Sequence, residues 1–255
     1  MAGSTNLEGR HALVTGASSG LGRHMATTLA RNGARVSVAA RRLDRLDALV
    51  AEIREAGGEA RAVEMDVRDP ESAARGLAVA AEAFGPVAIC VNNAGVTHMG
   101  RAEELDLAEW DRVMEVNLRG VFAVAQAAAG QMIAAGRGGS IVNIASILGE
   151  RVAGGVVAYA TAKAGVAQMT KALALEWARH GIRVNALAPG YMATDLNEEF
   201  FATDAGAALV KRIPQRRLGE MAELDGPLLL LASEAGSYMT GAVLPVDGGH
   251  LVSTL

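Results

Sequence analysis

The sequence predicts one α/β domain, an open doubly wound parallel sheet with helices on both faces. Three observations carry that expectation. Short apolar runs alternate with longer amphipathic ones in the order β-α-β-α-β-α-β as far as residue 95, a pattern that builds parallel strands joined by right-handed crossovers. The first strand runs straight into a glycine-rich turn that opens a helix, a place where backbone N–H groups can hold a phosphate. The polar motifs fall at the carboxyl ends of the expected strands, where sheets of this kind bind ligands. A length of 255 residues, 51% of them hydrophobic, suits a single domain over residues 1–255 with a sizeable core.

Taken in order, residues 11–15 are the first strand. The turn Thr15-G-A-S-S-G-L-Gly22 follows, then an amphipathic run to Asn32 that stops at Gly33. Gly16, Gly20 and Gly22 are spaced G-x-x-x-G-x-G, which differs from the G-x-G-x-x-G of the general dinucleotide fingerprint, so a turn without a ligand stays open. Residues 34–40 are the second strand. In NAD-binding folds an acid about 20 residues past the fingerprint binds the ribose 2′-hydroxyl. Here Ala40 stands at that place, followed by Arg41 and Arg42. Arginine there suits a 2′-phosphate, as in NADP; two solvated arginines at a strand end are the plainer alternative.

Residues 43–56 read as a charged amphipathic helix, and 60–65 as a third strand closed by Asp66 and Val67. Asp69 is the expected cap of the next helix, with Pro70 in its first position. Residues 87–91 are a fourth strand that runs into Asn92-N-A-Gly95. A long helical region covers 108–135 and holds Asn117 among apolar neighbours, where a buried amide needs partners. Residues 140–146 are a fifth strand that delivers Ser146 at its end. A helix over 158–180 carries Val166, Met169, Thr170, Leu173 and Trp177 at core spacing. Residues 182–188 form a sixth strand, broken by Pro189 and Gly190. The stretch 191–217 is irregular and partly helical and reads as a substrate loop or lid. A helix over 221–232 and a strand over 242–246 complete the domain.

The chemistry centres on Ser146 to Lys163. Tyr159 and Lys163 are four apart, which on a helix puts them on one face, a turn apart. A phenol of pKa ~10 carries protons poorly at neutral pH, and a nearby ammonium favours its phenolate. A tyrosine tuned in this way gives a proton to a carbonyl oxygen or takes one from an alcohol. Ser146, thirteen residues earlier, can hydrogen-bond the same oxygen. Alone, Y-x-x-x-K is ordinary helical spacing.

The motifs gain meaning as a set. Thr15-G-x-x-x-G-x-Gly22, Asn92-N-A-Gly95, Asn117, Ser146, Tyr159-x-x-x-Lys163 and Pro189-Gly190 follow one another in an order that resembles the short-chain dehydrogenase/reductase family, over about residues 7–250. Within it the chain looks most like the 3-oxoacyl carrier-protein reductase type and related sugar-acid dehydrogenases. The resemblance implies a Rossmann-type domain with seven parallel strands, a nicotinamide cofactor, and a homotetramer or homodimer. It makes Tyr159 the general acid in reduction and the general base in oxidation. Lys163 would lower the tyrosine's pKa and hold the nicotinamide ribose, Ser146 would polarise the substrate oxygen, and Asn117 would hold a water in a proton relay to Lys163. Gly16, Ser18, Ser19, Gly20, Leu21 and Gly22 would form the phosphate turn, and Arg41, with Arg42 beside it, would meet the 2′-phosphate. Asp66 and Val67 would meet the adenine, and Asn93, Ala94 and Gly95 the adenosine ribose. Pro189, Gly190, Met192 and Thr194 would meet the nicotinamide carboxamide and pyrophosphate. A carrier-protein substrate calls for basic residues near the cleft; residues 132–138 are poor in them and His180 stands where an arginine is often found, so a small ketone competes with it.

Composition narrows the partners. A net charge of −4 argues against nucleic acid or an anionic membrane surface. Cys90 is the lone cysteine and lies in an apolar run, which suits a buried thiol and excludes an intramolecular disulfide. No apolar run reaches the ~18 residues of a membrane span, and the N-terminus lacks the regions of a signal peptide, so a cytoplasmic protein is expected. His11, His24, His180 and His250 lack metal-ligand spacing, His98 is expected at the border of the cleft without a catalytic role, and no catalytic metal is expected. Glu150 and Arg151 flank the expected pocket, where contact with a polar substrate competes with the plainer reading of a surface ion pair, and Asp247-G-G-His250 reads as an element of subunit packing. The reading is an NADP(H)-dependent oxidoreductase that interconverts a ketone, or a 3-oxoacyl compound, and a secondary alcohol, with NAD(H) possible. Its alternatives are an NAD-dependent alcohol or sugar-acid dehydrogenase and a non-catalytic nucleotide sensor.

Overall fold

Seven strands form one parallel sheet: β1 (His11–Thr15), β2 (Arg35–Ala40), β3 (Glu59–Glu64), β4 (Ile89–Asn92), β5 (Gly139–Ile144), β6 (Ile182–Pro189) and β7 (Val243–Val246). Their spatial order is β3-β2-β1-β4-β5-β6-β7. The structure, a computed structural model, describes residues 4–194 and 198–253. The chain winds outward from β1 to β3, returns to β4 beside β1, and winds the other way. The crevice of such a sheet opens where the direction reverses, at the carboxyl ends of β1 and β4.

The helices are α1 (Gly20–Arg31), α2 (Leu43–Glu55), α3 (Pro70–Phe84), α4 (Leu107–Met114), α5 (Gly120–Ala135), α6 (Val157–Trp177), α7 (Glu198–Phe201), α8 (Asp204–Val210) and α9 (Asp225–Ala232). On one face of the sheet α1, α2 and α9 bury Met25, Leu29, Leu46, Leu49, Leu228 and Leu231. On the other, α3, α5 and α6 bury Leu77, Val124, Met132 and Leu173. The spacing of Leu46, Leu49, Val50 and Ile53 turns one stripe of α2 inward, each side chain contributing roughly 1.5–3 kcal/mol relative to exposure. Asp69 caps α3 as expected, its carboxylate accepting from the Glu71 N–H at 2.9 Å, with Pro70 next to it. Cys90 is fully buried, and desolvation pushes its thiol up to about 12.

Two long elements differ from the expected ones. The region 108–135 is interrupted: α4 gives way to a π turn over Glu115–Arg119 before α5 begins, and such insertions gather at functional sites. The helix expected over 158–180 ends at Trp177 and tightens into a 3₁₀ turn over Ala178–His180. By length and composition alone the helical stretch Leu107–Ala135 passes for a membrane span, as a core helix can. Its apolar side chains serve the fold, with Val121, Val124, Ala125, Ala128, Ala129 and Met132 buried.

A polar row crosses the core. Asn92 on β4 donates through Nδ2 to Asn143 Oδ1 on β5 at 2.9 Å. Asn143 Nδ2 donates to Thr170 Oγ1 on α6 at 2.9 Å, and Thr170 Oγ1 donates to the Val166 carbonyl at 2.8 Å. All three side chains are buried and satisfied, as buried polar groups need to be.

Candidate active site

A cleft of about 1170 Å³ runs across the carboxyl ends of the strands. Its first half is built at the switch point. Thr15 Oγ1, at the end of β1, accepts from the N–H groups of Asn93 and Ala94 at 3.1 Å each, and Asn93 Nδ2 returns a bond to the Thr15 carbonyl at 3.1 Å. These bonds draw the two loops together so closely that Gly16 has no room for a side chain: a Cβ there would stand 2.8 Å from Ala94 Cα, and its φ is +67°. Ser19 precedes α1 without a capping side-chain hydrogen bond, so the first N–H groups of the helix face the cleft without an acceptor from that side chain. An uncapped helix start, a glycine turn and two arginines fit a dinucleotide phosphate. Arg41 and Arg42 line the cleft at the end of β2, and Arg42 Nη2 donates to Ser18 Oγ at 2.9 Å. Asp66 is also there, its carboxyl held below the usual range chiefly by its hydrogen bonds from Arg68, with Arg41 adding to the effect.

The second half is built from β5 and α6. Ser146 leaves β5 and caps a 3₁₀ turn over Ile147–Gly149, its Oγ accepting from the Leu148 N–H at 3.1 Å. Tyr159 and Lys163 lie one turn apart on α6, with Lys163 Nζ 5.6 Å from the centre of the Tyr159 ring. Nζ donates to the Ile144 carbonyl at 2.6 Å. Lys163 is buried, and desolvation pushes its ammonium down to about 8. The expectation that Lys163 lowers the phenol's pKa is corrected here. Burial pushes Tyr159 up, the Ser146 hydroxyl pulls the other way, and Tyr191 adds to the rise. In the protein by itself, loss of water around the phenolate is the largest cause, and Lys163 is not among the groups that shift the phenol.

Of the residues expected at the site, Gly16, Ser18, Ser19, Gly20, Leu21, Arg41, Arg42, Asp66, Val67, Asn93, Ala94, Gly95, Ser146, Tyr159, Lys163, Pro189, Gly190, Met192 and Thr194 line this one cleft. Gly22 and Asn117 do not. Gly22 packs beneath the turn against Gly16 and Asn93. Asn117 sits fully buried in the π turn; its Oδ1 accepts from the Val96 N–H and its Nδ2 donates to the Val96 carbonyl, both at 2.8 Å. The side chain therefore clamps the loop after β4 and is not turned toward the cleft.

Side chains from the segments expected to flank the pocket also lie in the cleft wall, and so does His250, which was expected elsewhere. Arg151, Tyr191, Arg212, His250, Phe200 and Phe201 line it, with the Tyr191 ring 5.8 Å from that of Phe201 and 5.7 Å from that of His250. Arg151 makes no ion pair with Glu150; its Nη1 donates to the His250 carbonyl and to Ser253 Oγ, the latter at 2.7 Å. His250, read with its glycine-rich turn as a packing element, also borders the cleft. His98 faces Glu109 at 3.1 Å and is absent from the wall. The signal that could have marked this part of the cleft was charge: two arginines and a histidine near an aromatic loop in a chain of net charge −4.

Comparison with known proteins agrees with this geometry. The family model for short chain dehydrogenases matches residues 10–205. A gluconate 5-dehydrogenase of Gluconobacter oxydans is 41% identical over 249 residues, 97% of each chain. A D-threitol dehydrogenase of Mycolicibacterium smegmatis is 40% identical, covering 96% of this chain and 94% of the relative. The crystal structure of a gluconate 5-dehydrogenase from Burkholderia cenocepacia in complex with NADP and tartrate superposes with a TM-score of 0.95 at 36% identity, over 99% of both chains.

Proposed function

The chain belongs to the short-chain dehydrogenase family, and on that premise we propose that it is an NADP(H)-dependent oxidoreductase interconverting a secondary alcohol and a ketone on a small polyhydroxylated substrate. The carrying observation is the convergence of Ser146, Tyr159 and Lys163 on one wall of the cleft whose far end holds the uncapped start of α1 and Arg41. The relatives named for gluconate and threitol support a sugar-acid or sugar-alcohol substrate over a 3-oxoacyl one. The NADP in the Burkholderia structure supports the phosphate reading of Arg41, as does Ala40 in place of an acid.

The bound nicotinamide supplies the hydride chemistry. The protein's part is position and the proton. Ser146 Oγ holds the substrate oxygen beside the phenol. In reduction Tyr159 Oη gives its proton to the developing alkoxide; in oxidation the phenolate takes the hydroxyl proton. Burial keeps the phenol protonated at neutral pH, which suits reduction. Lys163, fixed by the Ile144 carbonyl, holds a cation near the ring and would hold the nicotinamide ribose of a bound cofactor. Asn117 contributes by fixing the loop that carries Asn93 to Gly95, the segment that would meet the adenosine ribose. Residues 191–217, with α7 and α8, act as the substrate loop. Exposed Leu107 and Leu175 on α4 and α6 suit a homotetramer or homodimer, which light scattering measures directly.

The test is titration with NADPH and NADH side by side, followed by cofactor emission. NADPH binds more tightly, and Arg41→Ala loses about 10- to 100-fold of that preference, the worth of a charge-assisted hydrogen bond. Tyr159→Phe keeps cofactor binding and loses turnover. Equal or tighter NADH binding overturns the NADP assignment, and binding of neither overturns the oxidoreductase.

A further inference from the structure

We propose that the substrate end of the cleft is a carboxylate site, with Arg212 as its anchoring cation and His250 as a hydrogen-bonding partner beside it, so that sugar acids are preferred to neutral polyols. The proposal rests on the oxidoreductase reading above and narrows its substrate class.

Charge is the first ground. Among the described residues that line the cleft, the single carboxylate is Asp66, and it is bound to Arg68 at the adenine end. The substrate end presents Arg151, Arg212 and His250 and, among the described residues, no acid. Asp247 lies close enough to act on His250, but its carboxylate accepts from the Gly249 and Leu251 N–H groups at 2.8 and 2.6 Å and is outside the wall. In a chain of net charge −4, a cationic recess with low-dielectric walls draws anions and repels nothing a neutral polyol offers.

The division of labour between the two arginines is the second ground. Arg151 is committed to the His250 carbonyl and Ser253 Oγ, which makes it a positioning residue that ties the catalytic loop to the turn at 247–250. Arg212 has no ion pair or side-chain hydrogen bond among the described residues, yet it acts electrostatically on His250. Its planar fork suits two carboxylate oxygens at once.

The third ground is an orphaned atom. His250 is 5% exposed, and its Nδ1 has no hydrogen-bond partner. Buried polar atoms without partners are few in native folds, and each needs a reason. A substrate hydroxyl or carboxylate oxygen supplies it once the ring turns Nδ1 toward the cleft, since that atom is buried in the protein by itself. Arg212 and His250 are also placed by one device. Ile213, buried next to Arg212, packs on Gly248, and Gln215 donates its N–H to the Gly248 carbonyl at 3.2 Å. The turn that carries His250 thus also sets the backbone that carries Arg212.

The experiment uses the full chain saturated with NADP⁺, titrated calorimetrically with D-gluconate and with D-sorbitol, a neutral polyol of the same length, beside steady-state turnover of both. Gluconate binds more tightly than sorbitol. Arg212→Leu raises the Kd and KM for gluconate by about 10- to 100-fold, with a smaller change in kcat and none in sorbitol binding, and Arg212→Lys recovers part of the loss. NADP⁺ affinity, set at the other end of the cleft, is the control for folding. Sorbitol binding as tight as gluconate, or an Arg212→Leu variant within twofold of wild type on gluconate, overturns the proposal. Arg212-dependent gluconate binding without turnover of either compound supports the carboxylate site while sinking the oxidoreductase assignment.

Discussion

Replacing Asn117 with alanine tests whether that residue is a reacting group or a clamp. The side chain makes two hydrogen bonds of 2.8 Å to the N–H and carbonyl of Val96, from a position with no solvent exposure. Alanine removes both and strands the two main-chain groups, each costing about 1–3 kcal/mol when buried. Val96 is only half-buried, so water recovers part of that, which leaves a loss of roughly 2–3 kcal/mol. At about 2–4 °C per kcal/mol for a chain of this size, thermal unfolding followed by circular dichroism falls by about 5–10 °C. Cofactor affinity falls with it, because Val96 directly follows the Asn93–Gly95 segment. A relay residue would behave in the opposite way: kcat would drop while the unfolding temperature stayed. A variant within about 1 °C of wild type, inactive but binding NADPH normally, refutes the clamp.

Three further outcomes follow from the same geometry. Lys163 has its pKa lowered from 10.5 to about 8 by burial, so between those values the unfolded chain holds a proton that the folded one has released, and stability rises with pH there. The cost of burying the charge is complete below about pH 8 and is about 3 kcal/mol. Lys163→Met is therefore inactive but more stable than wild type at pH 7, with the gap closing toward pH 10; parallel urea-unfolding curves across that range would falsify the argument. Ser146→Ala removes the hydroxyl that pulls the Tyr159 pKa down, so the alkaline limb for alcohol oxidation moves to higher pH, and an unmoved limb in kcat/KM breaks the link between the two residues. Gly16→Ala places a Cβ 2.8 Å from Ala94 Cα at a φ of +67°, which weakens NADPH binding by prising apart the β1 and β4 loops; an unchanged affinity would show that the close approach is dispensable.

The strands were legible because their apolar runs are short and their ends are marked by glycine or by polar motifs, and the observed boundaries lie within two residues of those expected. The Tyr159–Lys163 pair was legible because helical spacing puts both on one face and the ordered set of motifs around it resembles the short-chain dehydrogenase pattern. What escaped the sequence depends on contacts that only folding makes. Spacing identified Asn117 but not which of its atoms are engaged, since Val96 lies 21 residues away. A charged neighbour was visible for Tyr159, whereas the burial that raises its pKa was not. Glu150 and Arg151 look like a pair because they adjoin, yet adjacent side chains point apart, and Arg151 finds its partner 99 residues further on. Arg212 and His250 became neighbours through the packing of Ile213 on Gly248, which carries no local pattern.

The polar row from Asn92 through Asn143 to Thr170 bears on how α6 finds its place. The helix is rich in alanine and buries Ala158, Ala162, Ala167 and Ala174, a shallow surface on which a neighbouring turn fits almost as well as the right one. Thr170 meets the sheet through a single donor and acceptor pair instead of a shape. A slip of one turn, about 5.4 Å, strands a buried amide and carries the phenol of Tyr159 away from Ser146. The row serves as an alignment key, converting the identity of one hydrogen bond eleven residues down the helix into the position of the proton at the reacting oxygen.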